Sequence, residues 1–241
     1  MTGSHIKGLL LDLDNTLVDT KGADVNAYSK VEHYLSTNCK NCDPKAVIKH
    51  FQKLLKEKEI DPDGIKSADD WRTSLWQTAL SDNACQKTSS EIYQLWKDTR
   101  IEGIFFTEEV QSLLKQLRSE YKLLLLTNGD SVIQRAKIKQ CRAEEYFESI
   151  VISGDEPHPK PHPSIFEKSF KMLSVFPDEC VMIGDSLATD IQGGINSNCR
   201  ATVFVNPGGQ PPVNSTCPKP HYTIESILEL PRILDEIADK H

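Results

Sequence analysis

The chain has 241 residues, 38% hydrophobic and 26% charged, enough to bury a core in one large or two modest domains. Its net charge is -7 with no dominating block of Lys and Arg, which argues against nucleic acid or an anionic membrane surface as main partner. No apolar stretch approaches the roughly 20 residues that span a bilayer, Leu9, Leu10 and Leu11 run into Asp12 without a signal-peptide core, and seven scattered cysteines suggest reduced thiols in a cytoplasmic protein.

In chain order, residues 6–12 read as a buried strand that ends in Asp12, with Asp14 two positions on. Residues 21–103 then read as helices with little strand signal: 23–36, 44–59, 68–81 and 89–100. From residue 104 the pattern alternates. Helices are expected over 107–121, 131–141, 162–173 and 187–197, and strands near 122–127, 149–154, 180–184 and 201–206. Short apolar runs such as "KLLLL" suit strands buried on both faces. Repeated β–α units of this length imply a parallel, doubly wound α/β sheet at residues 1–20 and 104–241, interrupted by a helical insert at 21–103. A Pro- and Gly-rich loop follows at 206–220.

Such sheets bind ligands beyond the carboxyl ends of their strands. On an extended chain Asp12 and Asp14 share a face, roughly 6.6–7 Å apart, and can point into one cleft. "GDSLATD" repeats the design with Asp185 and Asp190. If the two strand ends are neighbours, up to four carboxylates converge. Two like charges at about 4 Å repel by about 4 kcal/mol at an effective dielectric of 20, so the cluster needs raised pKa values or a cation. Hard oxygen ligands with room for water suit Mg²⁺. A lone D-x-D is more often a pair of solvated loop acids or helix caps.

"LLLLTNGD" puts Thr127 and Asn128 where a strand gives way to a helix. A hydroxyl, an amide and free helix N–H groups can donate to phosphate oxygens, although such residues also serve as plain helix caps. Lys160, held extended by Pro161, can act as a point charge on phosphate or be a solvated turn lysine.

D-x-D-x-T, T-N, K-P and G-D-x-x-x-x-D stand in this order over residues 12–190. The ordered set resembles the haloacid-dehalogenase superfamily of phosphohydrolases. The resemblance implies a Rossmann-like core with a helical cap that selects substrate. Asp12 would then be the nucleophile and Asp14 the acid/base. Thr16 and Asp190 would be supporting residues around them. Thr127, Asn128 and Lys160 would grip phosphate, and Mg²⁺ would be held by Asp12, Asp185 and the main-chain carbonyl of Asp14. A phosphosugar mutase on the same fold, or a ligand-binding module without turnover, stands as an alternative.

In the cap, "DDWRTSLW" sets Arg72 and Trp76 four apart on a helix. The pair could bind a carboxylate and a sugar face, or simply pack with a snorkelling arginine. Cap pieces such as "WRTSLW" and "LWKDTR" resemble family members whose substrate is a small phosphorylated sugar acid, which makes Arg72 the candidate for the carboxylate. Cys39 and Cys42 lack the second pair a zinc site needs. The prolines around His158 and His162 exclude a helix that would align the two rings. Gly193 and Gly194 suit close helix–sheet packing.

Overall fold

The computed structural model describes residues 5–39, 42–58, 61, 63–80, 89–209 and 218–239; the middle of the 206–220 loop lies outside them. Strand β1 (Gly8–Leu11) precedes the helices α1 (Thr20–Asn38), α2 (Pro44–Glu57), α3 (Ala68–Leu80) and α4 (Ser89–Glu102). The alternation then runs through α5 (Glu108–Glu120), β2 (Lys122–Thr127), α6 (Ser131–Gln140), β3 (Ser149–Ile152), α7 (Pro163–Leu173) and β4 (Cys180–Gly184). A π-helical turn (Leu187–Ile191) leads into α8 (Gln192–Asn196), followed by β5 (Ala201–Val205), β6 (Tyr222–Ile224) and α9 (Leu230–Asp239).

The six strands form one sheet in the order β3-β2-β1-β4-β5-β6, and every pair is parallel. This is the doubly wound α/β arrangement, with Leu9 level with Leu123 on one side and Val181 on the other. Chain order reverses between β1 and β4, and that reversal opens a crevice at the strands' carboxyl ends. Helices cover both faces, so β1 is apolar throughout rather than alternating, and Leu9, Leu10 and Leu11 have no exposed surface. Leu10, Leu124 and Met182 pack against Phe166, Phe170 and Leu173 of α7.

Local chemistry sets the helix starts. Thr107 and Asp130 accept from Val110 N and Ile133 N at the heads of α5 and α6. Pro163 occupies the first turn of α7, where its missing N–H costs nothing.

Two elements lie beyond the expected set. The three-residue β6 closes the sheet edge and is too short to show a period. Helix α9 buries Leu230, Ile233, Leu234 and Ile237 at helical spacing. The helix expected over 187–197 is instead a π turn and the short α8. A Cβ on Gly193 would lie 2.4 Å from the Phe166 ring, and one on Gly194 2.7 Å from Thr202 Cγ2; both glycines are needed for α8 to seat.

The chain divides into two compact units, Met1–Asp19 with Phe105–His241, and Thr20–Ile104. The second unit has its own core, with Val31, Leu35, Phe51, Leu75, Trp76, Ile92 and Trp96 in one cluster. Trp76 stacks on Phe51 with ring centroids 3.8 Å apart and 9° between planes, and it has no exposed surface. Of the two readings of the Arg72 and Trp76 pair, this leaves packing for Trp76. The pattern of α3 places Trp76 inward, while Arg72 remains partly exposed. A correction concerns the thiols: Cys42, Cys141, Cys180 and Cys199 are free, but Cys39 is disulfide-bonded.

His158 and His162 do meet, with ring centroids 4.1 Å apart. A turn between them, closed by His162 N donating to Pro159 O at 2.9 Å, brings them together, and Nδ1 of His162 faces the Ser164 hydroxyl.

Candidate active site

Asp12 follows β1, and its N–H donates to the Ile183 carbonyl on β4 at 3.0 Å. The ladder therefore sets Asp12 beside Asp185, which follows Gly184, at the point where chain order reverses. Gly184 makes room for the next acid. A Cβ there would lie 2.2 Å from Asp190 Oδ2, so only glycine lets the π turn fold Asp190 back over the strand end. Asp190 Oδ2 also accepts from Ser186 N at 3.0 Å. Oxygens of Asp12, Asp185 and Asp190 all lie within 4.8 Å of one another.

Lys160 closes this group. It is 2% exposed, with Nζ 2.8 Å from Asp12 Oδ1 and 2.7 Å from Asp190 Oδ1, and it donates to the Leu126 carbonyl at 2.6 Å. Thr16 Oγ1 donates to the other Asp12 oxygen at 3.1 Å. Asn128 has a partner that the sequence did not show. Its Oδ1 accepts from Lys160 N and its Nδ2 donates to Lys160 O, both at 3.0 Å. The amide thus clamps the lysine backbone, because β2 and the 160 loop run side by side there, and one amide hydrogen is left for a ligand. Thr127 is fully buried, and its oxygen accepts from Gln134 Nε2.

Asp14 does not join the carboxylate cluster, so three of the expected four converge. The chain turns just past Asp14: Asn15 adopts φ +59°, a left-handed conformation that asparagine tolerates, and its N–H donates to Val18 O at 2.8 Å. The Asp14 carboxylate instead meets α6. Lys137 Nζ lies 2.6 and 2.8 Å from its two oxygens, and Gln134 Nε2 donates to Oδ2 at 2.9 Å.

Sequence reasoning missed Lys137 and Gln134. A signal existed: Ile133, Gln134, Lys137 and Ile138 form the buried stripe of α6, and two polar residues in an inward stripe need buried partners.

Burial pushes the Asp12 carboxyl up from 3.8 to about 7, with the charges of Asp190 and Asp14 adding to the effect and Lys160 opposing it. Burial also works against the charge of Lys160, but Asp12 and Asp190 outweigh it and hold the ammonium above the usual lysine range. Four carboxylates, Asp12, Asp14, Asp185 and Asp190, face two ammonium groups, Lys137 and Lys160, which leaves a surplus of two negative charges. The donor set is hard oxygen, so its chemistry and charge fit a divalent ion such as Mg²⁺.

Residues 6–198 match the family of haloacid dehalogenase-like hydrolases. The chain is 40% identical to the N-acylneuraminate-9-phosphatases of Mus musculus and Homo sapiens, over 98% of its own length and 97% of theirs. It is 29% identical to a glyceraldehyde 3-phosphate phosphatase of Pyrococcus furiosus, covering 83% of this chain and 81% of that one. Among solved structures, the HAD-hydrolase YfnB of Bacillus subtilis, described as bound to magnesium, aligns with a TM-score of 0.69 at 23% identity over 96% of this chain and 99% of that one. With the strand-end acids, the buried lysine and the sheet order all in place, the chain belongs to the haloacid dehalogenase-like hydrolase family.

Proposed function

We propose that this hydrolase is a Mg²⁺-dependent phosphatase acting through an aspartyl-phosphate on Asp12, and that its substrate is an N-acylneuraminate 9-phosphate. The observation that carries the reading is the buried Asp12 carboxylate, held at the strand end between Lys160 and Thr16 and facing Asp185 and Asp190. The substrate comes from the two phosphatases that share 40% of the sequence over nearly the whole chain.

In the first step an oxygen of Asp12 attacks phosphorus, the bond to the leaving oxygen breaks, and Asp14 delivers a proton to that oxygen. In the second, Asp14 takes a proton from water as its oxygen attacks phosphorus. The phosphorus–Asp12 bond breaks, which returns the carboxylate and frees inorganic phosphate. Lys160, Thr127 and the main-chain N–H groups near Asn128 stabilise charge spread over the phosphoryl oxygens. Asp12, Asp185 and the Asp14 carbonyl would hold Mg²⁺, which when bound offsets the repulsion between a dianionic phosphate and an attacking carboxylate. Asp190 and Thr16 keep Lys160 and Asp12 in place.

The helical unit at 21–103 selects the leaving group, and Arg72 binds the sugar-acid carboxylate. Its charge already acts on Asp69 and Tyr93. No helix among the described residues is long and apolar enough to cross a membrane. The free thiols suit a cytoplasmic enzyme, and the Cys39 bridge is a feature against that location.

Phosphate release from a panel of sugar phosphates tests the reading. The 9-phosphate of a sialic acid should rank first, Arg72→Ala should erase that preference, and Asp12→Asn should lower turnover by roughly 10⁴-fold. Substantial turnover by Asp12→Asn would remove the nucleophile, and isomer formation without phosphate release would make the protein a mutase.

A further inference from the structure

We propose that Lys137 and Gln134 are positioning residues that aim the Asp14 carboxylate at the leaving-group oxygen. The proposal rests on Asp14 being the acid/base of the phosphatase reading.

Asp12 is steadied by its strand, by Thr16 and by Lys160. Asp14 has its backbone in a bridge with Val18. It sits past the end of β1, next to a left-handed residue, with its side chain 24% exposed. What holds its carboxylate is α6. Gln134 and Lys137 are three apart on one face of that helix, and both are buried, at 2% and 4% exposure. Lys137 Nζ spans both Asp14 oxygens, and the Gln134 amide approaches one of them. These contacts address both oxygens, and together they restrict the two torsions that set where the carboxylate points.

The same Gln134 nitrogen also donates to Thr127 Oγ1 at the end of β2, so the bracket is tied to the strand that carries the expected phosphate contacts. A purely structural α6 would have no use for this. Burying an ammonium is costly, and an apolar side chain would pack the helix against the sheet as well. A group that must transfer a proton loses efficiency steeply with small misplacement, which gives the buried lysine a purpose that packing does not.

The test uses two leaving groups. A nitrophenolate leaves without a proton, whereas a sugar alkoxide needs one, so the ratio of kcat/KM for a sugar phosphate over p-nitrophenyl phosphate reports proton delivery. General weakening of phosphate binding cancels in that ratio. Asp14→Asn sets the full loss. Lys137→Met should lower the ratio about 10–100-fold, Gln134→Leu less, and Lys137→Arg should restore most of it. If Lys137→Met does not fold, Gln134→Leu, which removes only a neutral amide, decides the matter. An unchanged ratio in the folded variants, with Asp14→Asn still lowering it, overturns the positioning role and leaves the phosphatase reading standing. An unchanged ratio in Asp14→Asn as well removes Asp14 as the acid, and this proposal with it.

Discussion

The strand-end site and the helical unit draw on the same residue types under opposite constraints. At the strand ends the buried groups are charged or polar: Asp12, Thr127, Lys160 and Asp190 are each at most 6% exposed. In the helical unit the largest buried side chains are aromatic, with Phe51, Trp76 and Trp96 at 2% or less, although Asp61 and Thr99 are buried there as well, while the ion pair of Lys97 and Asp69 keeps side-chain exposures of 28% and 42%. A fold gains stability from buried aromatics. It loses stability by burying charge, and keeps such charge where chemistry needs it. The contrast separates what holds this protein together from what works on a ligand.

The largest test of that contrast is on the helical side. Trp76→Ala removes the ring stacked on Phe51 and should cost about 3–5 kcal/mol, read as an earlier urea transition of the helical unit. A loss below about 1 kcal/mol would mean that the stack is not a structural anchor, and the aromatic side of the comparison would fail. On the other side, Asp190→Asn keeps shape and removes charge. Lys160 retains Asp12 as partner, and the negative surplus falls, so stability should hardly change. If, as proposed, Asp190 orients Lys160 and the oxygens that would hold Mg²⁺, apparent Mg²⁺ affinity or turnover should fall about 10–100-fold. Lost stability with intact activity would reverse the assignment of the buried acids.

The two regions also differed in how well they could be read from sequence. The parallel, doubly wound sheet was legible, because apolar runs make strands, β–α repeats make them parallel and ligands lie at strand ends; the nearness of Asp12 to Asp185 stood as a condition, which the pairing of β1 with β4 meets. Asp190 was placed because "GDSLATD" repeats the strand-then-acid pattern of the first strand; the room that Gly184 leaves for it showed only in the structure. Side-chain direction was less legible. Asp14 was expected to point into one cleft with Asp12, yet its carboxylate meets Gln134 and Lys137 of α6, more than a hundred positions away. Asn128 was expected on phosphate, and nothing in the sequence showed that its amide also clamps Lys160, 32 positions away. Trp76 could sit on either side of a helix until Phe51, 25 positions away, supplied its partner. Each miss turned on a contact distant in sequence, which no local pattern encodes.

The last effect concerns pH, and it tests whether charge at the strand ends is held at a cost. Without a divalent cation, the Asp12 carboxyl is raised by burial from 3.8 to about 7. Unfolded chains release this proton near the lower value and folded chains near the upper one. Between about pH 4 and pH 7 the folded state therefore binds more protons, and stability falls as pH rises. Lys160 adds nothing in this window, because a raised lysine loses its contribution only at alkaline pH. In EDTA, wild-type protein should lose stability relative to Asp12→Asn by at most about 1.4 kcal/mol per pH unit, followed by urea unfolding at several pH values. Mg²⁺ favours the ionised carboxylate and should cancel the slope. Parallel stability curves for the two proteins in EDTA would show that Asp12 ionises in the folded state without penalty, and that burial at the strand ends does not set the site apart from the half-solvated ion pairs of the helical unit.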